Sequence, residues 1–114
     1  MMFTLHDHDG VVELSVEGNI LQENVDGLKS RLIELIDHGK VEIVLNMANS
    51  NYVSSLCLAV IVDVKNRLVK SDGDLKIANV NRLIRNLLEI TNLIKKFELF
   101  ESVEDAVAAF GKTQ

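Results

Sequence analysis

A chain of 114 residues suits one domain, and 47% hydrophobic with 25% charged residues is ordinary for a globular core built without metal or disulfide staples. The net charge of −5 is uneven: residues 1–57 carry nine acidic and three basic side chains, residues 58–114 eight and nine. An acidic first half argues against nucleic-acid binding, which needs a concentrated basic patch, and suits a basic protein partner or plain solubility. Cys57 is the single cysteine, which fits a reducing compartment. The start, Met1-Met2-Phe3-Thr4-Leu5-His6-Asp7, lacks the basic and apolar regions of a signal peptide. The longest apolar run, Leu56 to Val62, is far below the roughly 20 residues of a membrane helix. A cytoplasmic location, with no membrane insertion, is therefore expected.

Proline is absent, so turns fall to Gly, Asn and Asp. Asp9-Gly10 predicts a hairpin between a strand at Met2 to Asp7 and a second strand. In that second strand Val12, Leu14 and Val16 alternate with Glu13, Ser15 and Glu17, one buried and one wet face, and Gly18 ends it. Asn24 is placed to N-cap a helix whose apolar stripe is Val25, Leu28, Leu32, Leu35 and Ile36, with Gly39 as the left-handed exit. Val41 to Asn46 reads as a buried central strand, and Asn49-Ser50-Asn51 as a polar loop.

A second helix runs from about Ser54 to Lys70. Cys57, Val60, Ile61, Val64 and Leu68 form one apolar face, and Leu58, Val62 and Val69 a second. Asp72-Gly73 ends it, and Leu75 to Ala78 is the next strand. The third helix, about Asn81 to Ile90, places Leu83, Ile84, Leu87 and Leu88 inward, and Asn92 takes a left-handed cap. Phe97 to Phe100 is a last strand. Ser102 caps a final helix, with Asp105 completing an acidic capping box and Val103, Ala106, Val107 and Phe110 packing down. The order β-β-α-β-α-β-α-β-α, an antiparallel hairpin followed by alternating units, predicts a mixed sheet with helices.

Val-Glu-Gly (16–18), Ile-Val-Leu-Asn (43–46), Val-Ser-Ser-Leu (53–56), Leu-Lys-Ile-Ala-Asn-Val (75–80), Leu-Leu-Glu-Ile-Thr-Asn-Leu (87–93) with Lys96-Phe97, and Ser-Val-Glu-Asp-Ala (102–106) occur in this order. Together they resemble the STAS domain of bacterial anti-sigma-factor antagonists, over roughly Phe3 to Phe110. The resemblance implies a single STAS-type α/β domain over residues 1–114, with a mixed four- to five-stranded sheet and about four helices. It also implies a non-enzymatic signalling role in transcription regulation. The unphosphorylated form would bind an anti-sigma factor of the histidine-kinase-like ATPase type and so release a sigma factor. Phosphorylation would reverse this, and a phosphatase would reset it.

In the family the phosphoacceptor is the first Ser of an Asp-Ser-Ser-Gly motif. Ser54 matches it and Ser55 the next position, but Val53 stands for the Asp and Leu56 for the Gly. A further family Asp is Leu21 here. These departures favour an alternative, a non-phosphorylated STAS scaffold subunit of a lipid-transport or stressosome-like complex.

The residue chemistry allows the switch on its own terms. A phosphate at a helix N-terminus meets unpaired N–H groups and the positive dipole end, adding roughly −1.5 to −2 charges to a docking face. Ser54 is equally explained as a helix cap. Leu56 and Ala59, on an otherwise polar arc, form an apolar patch for a partner or are buried locally under the 47–53 loop. Leu21, Tyr52, Val53, Ser54, Ser55, Leu56 and Ala59 make up the candidate partner-binding surface, with Met47 framing the same edge. Exposed apolar residues such as Leu21 also leave room for a weak dimer beside a monomer.

His6 and His8 share a strand face beside a turn, a weak signal for metal, and no metal or other cofactor is expected. His38 suits a helix end. Cys57 reads as core. No nucleophile–base arrangement or phosphate loop points to catalysis.

Overall fold

The computed structural model describes residues 2–111; Met1 and residues 112–114, the ends of the expected 1–114 unit, lie outside the described residues. Asp9 (φ 57°) and Gly10 (φ 99°) both occupy the left-handed region, as a two-residue primed hairpin requires. They join β1 (Met2–His8) to β2 (Val11–Glu17), antiparallel, with Leu5 opposite Leu14. Then follow α1 (Val25–Asp37), β3 (Glu42–Asn49), α2 (Ser55–Lys70), β4 (Asp74–Ala78), α3 (Arg82–Ile90), β5 (Leu99–Phe100) and α4 (Val103–Ala108). The five strands lie side by side in chain order, and β2 to β5 pair parallel. This is the mixed sheet with four helices that the resemblance implies.

The alternating residues of β2 do what their period demands. Val12, Leu14 and Val16 join Ile43 and Leu45 of β3 and Leu75 and Ile77 of β4 in one core. Against them pack Val25, Leu28 and Leu32 of α1, Cys57, Ile61 and Val64 of α2, and Ile84 and Leu88 of α3. Each fully buried Leu or Ile contributes about 1.5–3 kcal/mol of transfer free energy. The other face is not simply wet. Val11, Val44 and Ala78 are buried there beneath Val103, Ala106 and Val107 of α4. Alternation tells which side chains share a face; it cannot tell what later element covers the opposite one.

Lys76 points to that α4 side. Its ammonium pairs with Glu98 and Asp74 and lies 4.8 Å from the Phe110 ring centroid and 5.8 Å from that of Phe100. A buried lysine thus keeps its charge satisfied by carboxylates and ring faces while its stem fills space.

Several boundaries differ from the sequence reading. β3 runs on to Asn49 because Met47 is a core residue and Gly18 N–H donates to the Asn49 carbonyl at 3.0 Å. β5 pairs only at Leu99 and Phe100; Phe97 instead closes a 3-10 turn over Leu93–Lys96 and is buried. Asn24 makes no side-chain cap to α1. Its Oδ1 accepts from Leu21 N–H at 2.7 Å, closing the 3-10 turn Gln22–Asn24 that precedes the helix.

Gly39 does form the left-handed exit, with Lys40 N–H bonded to the Leu35 carbonyl and Gly39 N–H to that of Ile36. At the end of α2 the left-handed residue is Asp72 (φ 63°), not Gly73. Gly73 is needed for close approach: a Cβ there would lie 2.0 Å from the Val41 carbonyl oxygen. Asn92 takes the expected left-handed cap.

On α3 the structure corrects the inward set. Ile84 and Leu88 are buried and Leu87 is half-buried, but Leu83 is 54% exposed. The second apolar face of α2 is likewise partial, since Leu58 is buried and Val69 exposed.

Candidate functional site

Gly18 (φ 103°) turns the chain out of β2, and the next residues are stitched to the loop after β3. Ile20 N–H donates to the Tyr52 carbonyl (3.1 Å), Ser54 N–H donates to the Ile20 carbonyl (2.8 Å), and Ile20 and Val53 form a parallel bridge. Asn19 Oδ1 accepts from both Asn51 and Tyr52 N–H at 3.1 Å. Ser50, almost fully buried, donates from Oγ between the Gly18 (2.8 Å) and Val16 (3.2 Å) carbonyls. From the other side Asn81 Nδ2 reaches the Asn51 carbonyl (3.0 Å), while its Oδ1 caps α3 at Ile84 N–H. The polar tripeptide Asn49-Ser50-Asn51 is thus an ordered joint whose backbone groups find partners in two neighbouring segments.

Ser54 stands at the end of this joint as the N-cap of α2. Its Oγ accepts from Cys57 N–H at 3.1 Å. The N–H groups of Ser55 and Leu56, in the first turn, have no intrahelical acceptor by helix geometry, and that turn holds no acidic residue. Ser54 is partly exposed and Ser55 exposed. Cys57, one turn deeper, is fully buried; desolvation pushes its thiol up to about 12, so it is a core residue and no nucleophile.

Around Ser54 lie exposed apolar side chains. Leu21, Tyr52 and Leu56 are each about two-fifths exposed and Ala59 is exposed, which removes the reading of Leu56 and Ala59 as locally buried. Val53 and Met47 go the other way. Both are core residues, at 1% and 2% exposure, so Val53 shapes the joint from beneath and Met47 frames no surface edge. A buried apolar residue at position 53 also explains how the joint does without a carboxylate there.

Sequence reasoning missed the contribution of α3. Tyr52 and Val53 form one wall of a shallow apolar groove of about 100 Å³ whose other wall is Leu83, Leu87 and Ile90. Ile90 is 81% exposed. Leu83, Leu87 and Ile90 recur at i, i+4 and i+7, a stripe beside the buried pair Ile84 and Leu88. Five apolar residues in a nine-residue helix exceed what one buried stripe needs, and that excess was the available signal.

The histidines near the hairpin are engaged locally. Their rings lie 4.6 Å apart, and His8 Nε2 meets Glu13 Oε1 at 2.8 Å. Glu13 Oε2 accepts from Asn46 Nδ2 (2.9 Å), and Asn46 Oδ1 accepts from Asn79 Nδ2 (3.0 Å), a polar ladder crossing β2, β3 and the end of β4. Desolvation raises the Glu13 carboxyl, but the hydrogen bonds from His8 and Asn46 and the histidine charges outweigh it, so its pKa is lowered. His38 Nδ1 contacts the Glu34 carbonyl at the end of α1 (2.8 Å). No helix among the described residues is long and apolar enough to cross a membrane.

Comparison with known proteins places this geometry. The chain is 28% identical over 110 residues to BtrV, a candidate anti-sigma factor antagonist of Bordetella bronchiseptica, covering 96% of this chain and 95% of that one. A crystal structure of a candidate anti-sigma factor antagonist from Thermotoga maritima superposes with a TM-score of 0.90 at 22% identity, over 96% of this chain and 95% of that one. The phosphorylated form of SpoIIAA, a Bacillus cell fate determinant, superposes with a TM-score of 0.74 at 15% identity, over 96% and 99%. The STAS domain model matches residues 2–106, and with the five-stranded mixed sheet and four helices already described, the chain belongs to the STAS domain family.

Proposed function

We propose that this protein is a cytoplasmic anti-sigma factor antagonist, a regulator rather than an enzyme, that docks an anti-sigma factor of the histidine-kinase-like ATPase type. The observation that carries the reading is Ser54 at the N-cap of α2, ringed by exposed Leu21, Tyr52 and Leu56 and continued by the α3 stripe. The apolar rim supplies contact area, and the rigid joint of residues 18–21 and 50–54 presents it with little ordering cost. Ser54 and Ser55 lie within the contact.

A phosphate on Ser54 would add roughly −1.5 to −2 charges to the centre of this rim. The free Ser55 and Leu56 N–H groups would hold it in place, and an apolar contact would be broken. The relatives support this reading: BtrV bears the antagonist name, and SpoIIAA exists in a phosphorylated form. A phosphatase would then restore binding.

A second reading, a constitutive scaffold subunit in a lipid-transport or stressosome-like complex, is favoured by one observation. Ser54 Oγ is already occupied as a cap, with buried Val53 beside it in place of a carboxylate.

Intact-mass analysis with peptide mapping of residues 47–70, on protein from its native cell, separates the two. One added phosphate on Ser54, and loss of anti-sigma-factor binding when it is present, establishes the switch. A stable stoichiometric complex with no phosphate under any growth condition establishes the scaffold.

A further inference from the structure

β1 is an edge strand, paired on one side only. Edge strands in natural proteins are usually shortened, bulged or armed with Lys or Pro against pairing with another chain. The opposite edge, β5, is two residues long. β1 has seven residues, MFTLHDH, with no Lys and no Pro, and its register against β2 is unbroken.

The hairpin fixes which backbone groups face outward. In a two-residue primed turn the flanking pair, His8 and Val11, is hydrogen-bonded, and bonded pairs recur at every second residue: His6–Glu13, Thr4–Ser15, Met2–Glu17. Phe3, Leu5 and Asp7 therefore direct N–H and C=O to the open edge.

The side chains of these three residues share the face of Leu14 and Val16, the face covered by α1. Phe3 packs on that core with the Arg31 guanidinium of α1 5.7 Å from its ring centroid. Leu5 extends the same apolar layer and is 45% exposed.

We propose that two copies of this chain join β1 to β1, antiparallel about a two-fold axis at Leu5, to make one continuous sheet. Leu5 then faces Leu5 of the second copy and Phe3 faces Asp7 of the second copy, each pair exchanging both backbone hydrogen bonds. Arg31, already seated over Phe3, comes over Asp7 of the second copy, and the symmetry makes this ion pair twice. The strand is thus self-complementary in backbone, in apolar contact and in charge. Such an isologous contact closes on itself as a dimer. On the reverse face Thr4 meets His6 and Met2 meets His8, with no like-charged carboxylates opposed. Ser54 takes no part in the contact.

The test is sedimentation equilibrium of the whole chain and of the variants L5K, R31E and D7R, with circular dichroism to confirm folding. Wild type is expected to dimerise, and L5K and R31E each to weaken association at least tenfold. D7R alone is expected to be weakened in the same way. An equimolar mixture of R31E and D7R is expected to dimerise again, because both symmetric contacts then join opposite charges. Should D7R fail to fold for loss of the Asp7–Gly10 hairpin bond, D7N replaces it: it keeps a side-chain oxygen for the Gly10 N–H, removes only the charge facing Arg31, and is expected to weaken association by itself. A wild-type chain monomeric at every soluble concentration overturns the proposal. So does a dimer indifferent to L5K and R31E, or an edge that accepts only an added peptide strand.

Discussion

The Ser54 N–H donates to the Ile20 carbonyl at 2.8 Å, tying the N-cap of α2 to the segment that leaves β2. Through this bond and the Ile20–Val53 bridge, two stretches more than thirty residues apart act as one platform. Anything that repositions the backbone at Ser54 must also disturb Ile20, which is fully buried.

Ser54 has a capping role that is separable from any switch. Ser54→Ala removes the acceptor for Cys57 N–H and is expected to lower stability by about 1 kcal/mol in urea unfolding. Ser54→Asp keeps a good N-cap and places a negative charge at the positive end of the helix, so stability should stay near wild type. If Ser54 is the switch, Ser54→Asp loses anti-sigma-factor binding while Ser54→Ala retains it. Equal binding by both would leave Ser54 as a cap alone.

The two stripes of α3 should separate stability from binding. Leu83→Lys and Ile90→Lys alter exposed side chains, and unfolding free energy should move by less than about 0.5 kcal/mol. Ile84→Ala empties a buried site and should cost about 2–5 kcal/mol. Calorimetric titration with the anti-sigma factor should show binding weakened at least about tenfold, near 1.4 kcal/mol, for the exposed pair. Unchanged affinity in the two lysine variants would confine the contact to α2 and its joint.

Glu13 should make the fold acid-sensitive. Its folded carboxyl titrates below its unfolded value, so the unfolded chain binds its proton first as pH falls. The stabilisation from His8 and Asn46 is present above the ordinary Glu value of about 4.3 and fades as pH drops through the lowered one. Asp74, lowered against desolvation by Lys65 and the Leu75 N–H, acts in the same direction, so the Glu13 share needs a single-site comparison. The stability gap between wild type and Glu13→Gln in urea titrations should narrow as pH falls below about 4, where the folded carboxylate takes up its proton. A gap that keeps widening below about pH 4 would contradict the ladder.

Adjacent residues at the end of α2 should respond in opposite ways. Gly73→Ala drives a Cβ into the Val41 carbonyl and should cost about 1–3 kcal/mol, as overpacking does. Asp72→Gly relieves a non-glycine left-handed residue and should be neutral to stabilising. Thermal unfolding of the two variants decides it, and the reverse order would refute the close approach.

Local chemistry was enough for the frame. Asp9-Gly10 dictated the hairpin, the period-two run 12–16 its buried face, Ser54 and Ser102 their helix starts, and Asn92 its left-handed cap, because each depends on one or two residues' own conformational preferences. The candidate surface was legible only along α2 and the joint. Tertiary structure decided the rest. It buried Val53 and Met47, turned Leu83 outward to extend the rim onto α3, laid α4 over Val11 and Val44, and gave Asp72 and Gly73 roles the reverse of those their types suggest. An apolar residue's periodicity names its stripe but not which of two adjacent stripes meets the sheet. That choice is made by how the helix crosses its neighbours, through contacts between residues distant in the chain.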